Sequence, residues 1–441
     1  MESMSSSRSD AVADSSPSPP DALRPILVLV IGTGLRWFGT SFYGLFLLIF
    51  FHTALHLSYV LAGVYIAVLG LAILPLPQIG GRISDRIGRR RMIVLSLVGE
   101  STGLALLAWG FSISSLGVVL GAILVSRSFA VSGSPSSSAY VGDSVDPRLR
   151  AMGLSWVRVA LNLGAFGGIA LGGILLTVIS YSQLTALAAL MVGSAAAVNA
   201  IWLAPTARDR AIASKTAGDT GSAAAPNPGP LRWLGQSISS SFRPLWRDRT
   251  LLLTTVASIL IVLMLVQFAY GIPTFSRTVL GVPYAILGPA LSLTGIIPVL
   301  TQVPITKVLT GRSLTRIGIW GSVAYAVPFL AFGLDAIYRV DVVLALIGLM
   351  IAITFGENLV YLPVFTLPLN IAPEDSRGVY SGATVTATSL GNSLGPLLAG
   401  VALTFASQPL VTWGILAAPA VPAIAILAYL DSRLPRSQNR V

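Results

Sequence analysis

Five ionisable side chains stand inside long apolar runs of this 441-residue chain: Arg36, Glu100, Arg127, Arg158 and Glu357. A charge in the middle of a hydrocarbon layer costs at least roughly 2.5–3.5 kcal/mol on insertion scales, so each should face protein or water and have a partner. A rise of about 1.5 Å per helical residue puts Arg36 near mid-depth and Glu100 and Arg127 at one common level, with Arg158 and Glu357 slightly nearer the boundary. The common level predicts an ion pair between Glu100 and Arg127, or exchange of partners with Arg158 or Glu357. The plainer alternative is a static pair that only holds helix register. Guanidinium suits carboxylate and phosphate, so Arg36 and Arg127 could instead hold an anion directly. Asn358 and Tyr361 flank Glu357 and offer neutral hydrogen bonds. Trp37, Tyr43, Gln267 and Tyr270 add aromatic and amide groups of the kind that anchor a small molecule between apolar walls, although packing accounts for each of them singly.

The elements that must carry these groups are membrane spans. The composition is 54% hydrophobic and 10% charged, against roughly 25% charged residues in soluble domains. Too little polar surface remains to wrap a water-soluble globule of this length. About 20 apolar residues cross a bilayer as a helix, and on that rule the chain holds twelve spans. Residues 24–205 and 249–431 form two six-span halves. They are separated by 206–248, rich in Ala, Ser, Gly and Pro, which reads as a flexible linker. Residues 1–23 read as a disordered tail without the basic and apolar segments of a signal peptide, and 432–441 as a second tail. The absence of cysteine excludes disulfides and thiolate sites. His52 and His56, the two histidines, read as interfacial residues, so neither a metal site nor a cofactor is expected.

The net charge of +11 could suggest nucleic acid, but its distribution argues for topology instead. Of the 28 Lys and Arg, Arg36, Arg127 and Arg158 lie in spans and only Arg277 and Arg339 in loops on one side. All others fall on the amino-terminal side, which the positive-inside rule makes cytoplasmic. Both termini are therefore expected in the cytoplasm.

The densest of the basic loops is Gly80-Gly81-Arg82-Ile83-Ser84-Asp85-Arg86-Ile87-Gly88-Arg89-Arg90-Arg91. Topology alone requires neither Asp85 nor Gly81 and Gly88. These residues point to a conformational latch, with Asp85 at a helix amino terminus favoured by the dipole and Arg86, Arg89 and Arg90 holding acidic or carbonyl groups. The alternative is a loop that only sets topology and touches anionic lipid. No Gly-Lys-Ser/Thr phosphate loop is present, so ATP hydrolysis is unsupported, and no loop clusters acid/base groups as an enzyme would require.

One sequence offset separates Arg150 from Arg377, Gly164 from Gly391, Gly168 from Gly395 and Gly173 from Gly400. Gly172 and Pro396 extend the two ladders. Small residues at four-residue spacing let helices approach closely, and duplicated register marks an internal repeat; the interface between halves is their expected place. In the second half Thr306-Lys307-Val308-Leu309-Thr310-Gly311-Arg312 stands where the first basic loop would recur, without its aspartate.

The basic loop, the Asp143–Arg150 loop, the fifth-span ladder and the duplication together resemble the major facilitator superfamily along nearly the whole chain. Ile83 replaces the usual leucine of the loop motif. The fifth-span ladder resembles that of the drug:proton antiporter branch, with Ile169 at its proline and Pro396 at the equivalent place in the eleventh span. Arg127 matches the fourth-span arginine, while Val131 stands at the glycine that follows it. The resemblance implies an all-α membrane protein of twelve transmembrane helices in two pseudo-symmetric six-helix halves. It also implies a cavity lined by spans one, four, seven and ten, moving contacts between spans two, five, eight and eleven, and the eleventh span as partner of the basic loop. Glu357 would then be the only acidic residue of the cavity spans and the preferred proton or cation site, with Glu100 the alternative. The implied function is secondary active transport of small organic molecules, as proton-coupled efflux by a monomer in the plasma membrane. Proton-linked carriage of an organic anion or metabolite is the main alternative, and a non-transporting receptor a minor one.

Overall fold

The computed structural model describes residues 24–218, 248–338 and 341–441. The expected tail 1–23, most of the expected linker and Arg339 lie outside them. Twelve long helical segments follow one another: α1 (Leu27–Thr53), α2 (Tyr59–Ile87), α3 (Arg89–Ser112), α4 (Leu116–Ser144), α5 (Pro147–Leu175), α6 (Tyr181–Trp202), α7 (Arg249–Thr278), α8 (Tyr284–Leu309), α9 (Leu314–Tyr338), α10 (Val342–Ile371), α11 (Arg377–Leu403) and α12 (Pro409–Arg433). Ten are individually long and apolar enough to span a bilayer, and α8 makes an eleventh with a 43° bend after Pro298. The helix α11 has the length, but Thr384, Thr388, Ser389, Asn392 and Ser393 dilute its hydropathy. It tolerates them because it packs between α2 and α7 rather than facing lipid along its length. The first part of the expected linker is itself a helix, Ala207–Gly218.

Within the first half α1 packs on α5 and α6, and α3 on α4 and α6. Within the second, α7 packs on α11 and α12, and α9 on α10 and α12. Adding six to each number converts one set into the other. The contacts between halves, α2 with α11 and α5 with α8, exchange under the same operation. The fold is therefore two copies of one bundle related by a pseudo-twofold axis.

Large apolar side chains cover the outside: Leu163, Val178, Trp202, Leu300 and Leu344 are exposed. That pattern costs a soluble protein dearly and costs nothing against acyl chains. Interiors are filled by Phe46, Phe50 and Phe51 in one half and by Trp413 among Phe275, Phe329 and Phe332 in the other.

The glycine ladders lie mainly inside the halves. On α5, Gly164 and Gly168 meet backbone of Gly34 and Phe38 on α1, and Gly172 meets Phe42. On α11, Gly391 and Gly395 meet Val262 and Val266 on α7. Only the far ends cross to the other half: Gly173 against Gly288 of α8, Gly400 against Tyr59 of α2, and Pro396 against Gly63. Gly173, Gly400 and Pro396 thus approach the opposite half, and Gly164, Gly168, Gly172, Gly391 and Gly395 approach a helix of their own half. Spacing specifies a close approach but not which neighbour makes it.

The two ends of the molecule differ. At the end opposite the basic loop the halves are tied together. There Tyr59 donates to Thr278 Oγ1 at 2.9 Å, and the Tyr181 and Tyr284 hydroxyls are in contact, with Arg277 of the second half 4.4 Å over the Tyr284 ring. At the end bearing the basic loop the latch residues bond, among the described residues, within the first half and to the helix that follows it.

Candidate functional site: two cavities between the halves

Glu100 pairs with Arg36, not with Arg127. Arg36 Nε donates to Glu100 Oε2 at 2.6 Å, Thr40 Oγ1 to Oε1 at 3.2 Å, and Arg36 Nη2 to the Ala130 carbonyl at 3.1 Å. The carboxylate is 2% exposed. This knot joins α1, α3 and α4 inside one half. Helical rise along the sequence gives no azimuth around each helix, and azimuth decides which guanidinium faces the carboxylate.

Arg127 points elsewhere. It stands within electrostatic reach of Tyr43 and Tyr270 and lines a cavity of about 300 Å³ with Ile66 and Gly70 of α2, Tyr270 of α7, and Asn392 and Ser393 of α11. Residues of both halves form its wall. Tyr270 reaches it because α7 is interrupted there: the stretch 269–270 is non-helical between Phe268 and Gly271. Pro273 has no amide hydrogen to give the carbonyl four residues back, and its ring crowds that carbonyl. Gln267 lines neither cavity. It is fully buried and donates to the Leu263 carbonyl at 2.7 Å and the Gly395 carbonyl at 3.2 Å, binding α7 to α11.

Arg158, Glu357, Asn358 and Tyr361 converge on a second cavity of about 120 Å³, between α5, α8 and α10. Arg158 Nη2 donates to the Tyr361 hydroxyl at 3.0 Å, a bond that crosses from one half to the other. Asn358 donates to Thr301 Oγ1 of α8 at 2.8 Å. The Glu357 carboxylate lines the same space and, among the described residues, takes part in no hydrogen bond or ion pair. The arrangement can bind a cation or exchange a proton at Glu357 while Arg158 balances charge across the gap. Asn162, Thr294 and Gln302 complete the polar lining. Sequence reasoning passed over them, although Asn162 follows Arg158 by four residues and so shares its helix face. Residues from α5 and α8, not only from the four implied cavity spans, thus enclose the polar space. Trp37 sits beside Arg36, 5.8 Å from its guanidinium, and Tyr43 is buried against Arg127.

The basic loop is shorter than a loop. The helix α2 runs through Asp85 to Ile87, and α3 begins at Arg89, so Asp85 lies in the last turn of one helix rather than at the amino terminus of another. Gly88 makes the junction at φ 101°, a left-handed conformation that side chains resist. Asp85 accepts from Arg89 at 2.7 Å and from Arg208 of the helix Ala207–Gly218 at 3.1 Å. Arg89 also reaches Ser84 at 3.0 Å and Asp143 at 3.4 Å, and Arg90 the Ala200 carbonyl at 2.6 Å. Arg86 is exposed. Gly81 lies near Pro135 of α4. The implied partner α11 instead meets α2 at its other end, through Tyr59, Gly63 and Gly70, so the latch finds its charges on α4 and on the linker helix.

No curated protein sequence matches the chain. Among solved structures, a POT family transporter in complex with a thioalcohol-conjugated peptide superposes with a TM-score of 0.73 at 14% identity, covering 93% of this chain and 96% of that one. The nucleoside transporter NupG superposes with a TM-score of 0.71 at 15% identity, covering 92% and 98%. At these identities the likeness is one of fold. A POT family transporter in complex with 5-aminolevulinic acid gives 0.70 at 14% identity over 93% and 96%. The sequence profile described as Major Facilitator Superfamily matches residues 29–396. Matched over most of its length and built as two six-helix halves around polar intramembrane cavities, the chain is a membrane transporter of the Major Facilitator Superfamily.

Proposed function

We propose that this transporter exports small organic molecules in exchange for protons, working as a monomer in the plasma membrane with both termini in the cytoplasm. The observation that carries the reading is Glu357, an intramembrane carboxylate without hydrogen-bond or ion-pair partner among the described residues, in a cavity that both halves enclose. An acidic group so placed exchanges its proton for a cationic or polar substrate when the surrounding halves move. With the basic end taken as cytoplasmic, the ties through Tyr59, Tyr181 and Gly173 close the outer side. Alternating access then requires breaking those ties while the basic end closes.

A second reading, carriage of an organic anion, is favoured by one observation. Arg127 faces the larger cavity, and no ion pair reaches it among the described residues. Solved neighbours of the same fold include transporters bound to 5-aminolevulinic acid and to sulfate.

Protein in liposomes with a trapped pH dye, challenged with cationic, neutral and anionic compounds, separates the two. Lipophilic cations that move protons in wild type but not in Glu357→Gln support antiport at Glu357. Proton movement with anions alone, retained in Glu357→Gln, transfers the site to Arg127 and refutes the first reading.

A further inference from the structure

The carboxyl-terminal segment, read from sequence as a tail, is built into the fold at the basic end. The Val441 backbone exchanges hydrogen bonds with the α8–α9 turn: Gly311 N donates to Val441 O at 3.2 Å, and Val441 N to Arg312 O at 3.1 Å. Asn439 is 5% exposed. Its side chain accepts from Thr315 N at 3.0 Å and donates to Thr315 Oγ1 at 2.8 Å. Asn370, at the end of α10, donates to the Arg440 carbonyl at 3.0 Å. The segment thereby closes one side of a cavity of about 790 Å³ whose wall includes Arg312, Arg316, Arg436 and Arg440.

Among the described residues one acid, Asp431, lines that cavity, and it is already engaged. It accepts from Thr315 at 2.6 Å, Ser313 at 2.8 Å, Asn439 at 3.1 Å and Arg316 at 2.9 Å. Arg312, Arg436 and Arg440 then have no acidic partner among the described residues. Trp320, 68% exposed, stands on the same wall about 9 Å along α9 from its first residue, where an aromatic ring meets the headgroup region.

The geometry points to a binding site for a phosphate-bearing anion at the basic end of the second half, supplied either by the headgroup of an anionic phospholipid or by free phosphate. Three guanidiniums around one cavity offer paired donors to phosphate oxygens. The apolar wall beside Trp320 gives acyl chains a path that free phosphate does not use. The site is separate from both cavities between the halves, and it stands whether or not the proposed proton exchange does.

The test uses full-length protein in nanodiscs, with tryptophan quenching by brominated phosphatidylglycerol and brominated phosphatidylcholine compared at equal mole fraction. Wild type should prefer the anionic lipid, and high salt should weaken the preference. The double variant Arg312→Gln/Arg440→Gln should lose about 25-fold in relative affinity, roughly fivefold per charge removed. The variant Arg312→Lys/Arg440→Lys should keep most of it, which separates lost charge from lost folding. Competition by millimolar inorganic phosphate, with the same dependence on the arginines and no preference between the lipids, assigns the site to free phosphate. Absence of both the lipid preference and phosphate competition overturns the proposal, as does a preference that the Gln variant leaves unchanged.

Discussion

Removing Glu100 should destabilise this protein far more than removing Glu357, although both are intramembrane carboxylates. Glu100 is 2% exposed and holds Arg36 at 2.6 Å and Thr40 at 3.2 Å. In Glu100→Ala the Arg36 guanidinium keeps one bond, to the Ala130 carbonyl, and loses its counter-charge. Breaking a buried pair by deleting one partner costs about 3–5 kcal/mol. Replacing both partners with apolar groups of similar volume is often close to neutral. The triad of variants is therefore Glu100→Ala, Arg36→Met and Arg36→Met/Glu100→Leu. The assay is the fraction of monodisperse protein surviving a temperature ramp in detergent. Both single variants should lose a large part of their thermal stability, and the double variant should recover most of it. Two single variants that melt like wild type, or a double variant no better than the sum of its parts, would refute the assignment of this pair as a static tie. They would return Glu100 to the list of mobile carriers.

Three further outcomes follow from the geometry. In Gly173→Leu, an added Cβ lies 2.6 Å from Gly288 Cα and 2.7 Å from the Tyr284 carbonyl, backbone atoms that cannot rotate away. A cysteine placed at Thr278, in a chain without natural cysteine, should then react severalfold faster with an impermeant maleimide from outside, and an unchanged rate counts against closure by this contact. Asp85→Asn removes partners from Arg89 and Arg208, but Asp85 is half exposed, so stability should change by less than about 1 kcal/mol. Transport should slow while substrate affinity holds, and equal loss of both would sink the latch. Gly88→Ala forces a side chain into φ 101° and against Asp209, which costs about 1–3 kcal/mol and should undock the helix Ala207–Gly218. Faster proteolysis within that helix is the readout.

Legibility from sequence varied with the kind of information each feature needs. The spans and the duplicated halves were readable, because bilayer thickness imposes a length rule on apolar helices. The length rule alone counts α11 among the spans, although its polar residues keep it out of the helices that are individually apolar enough to cross a bilayer. Partners were not readable. Glu100 and Arg127 share a level yet face different directions, and only the packing of α1 beside α3 brings Arg36 to the carboxylate. Gln267 has the chemistry of a ligand group and serves as a tether. The carboxyl-terminal residues carry no periodic pattern, yet Asn439 locks them to α9 through side-chain bonds that local composition does not encode.

Composition and the placement of charge determined by themselves that this chain is a multi-pass membrane protein and which ionisable groups fall inside its spans. Both follow from one-dimensional rules of solvation. Which end the halves close upon, which arginine neutralises Glu100, and which carboxylate stands unpaired between the halves among the described residues were decided only by tertiary structure. Those properties depend on the rotation of each helix about its axis and on contacts between segments hundreds of residues apart, as between Tyr59 and Thr278. A local stretch of sequence carries neither.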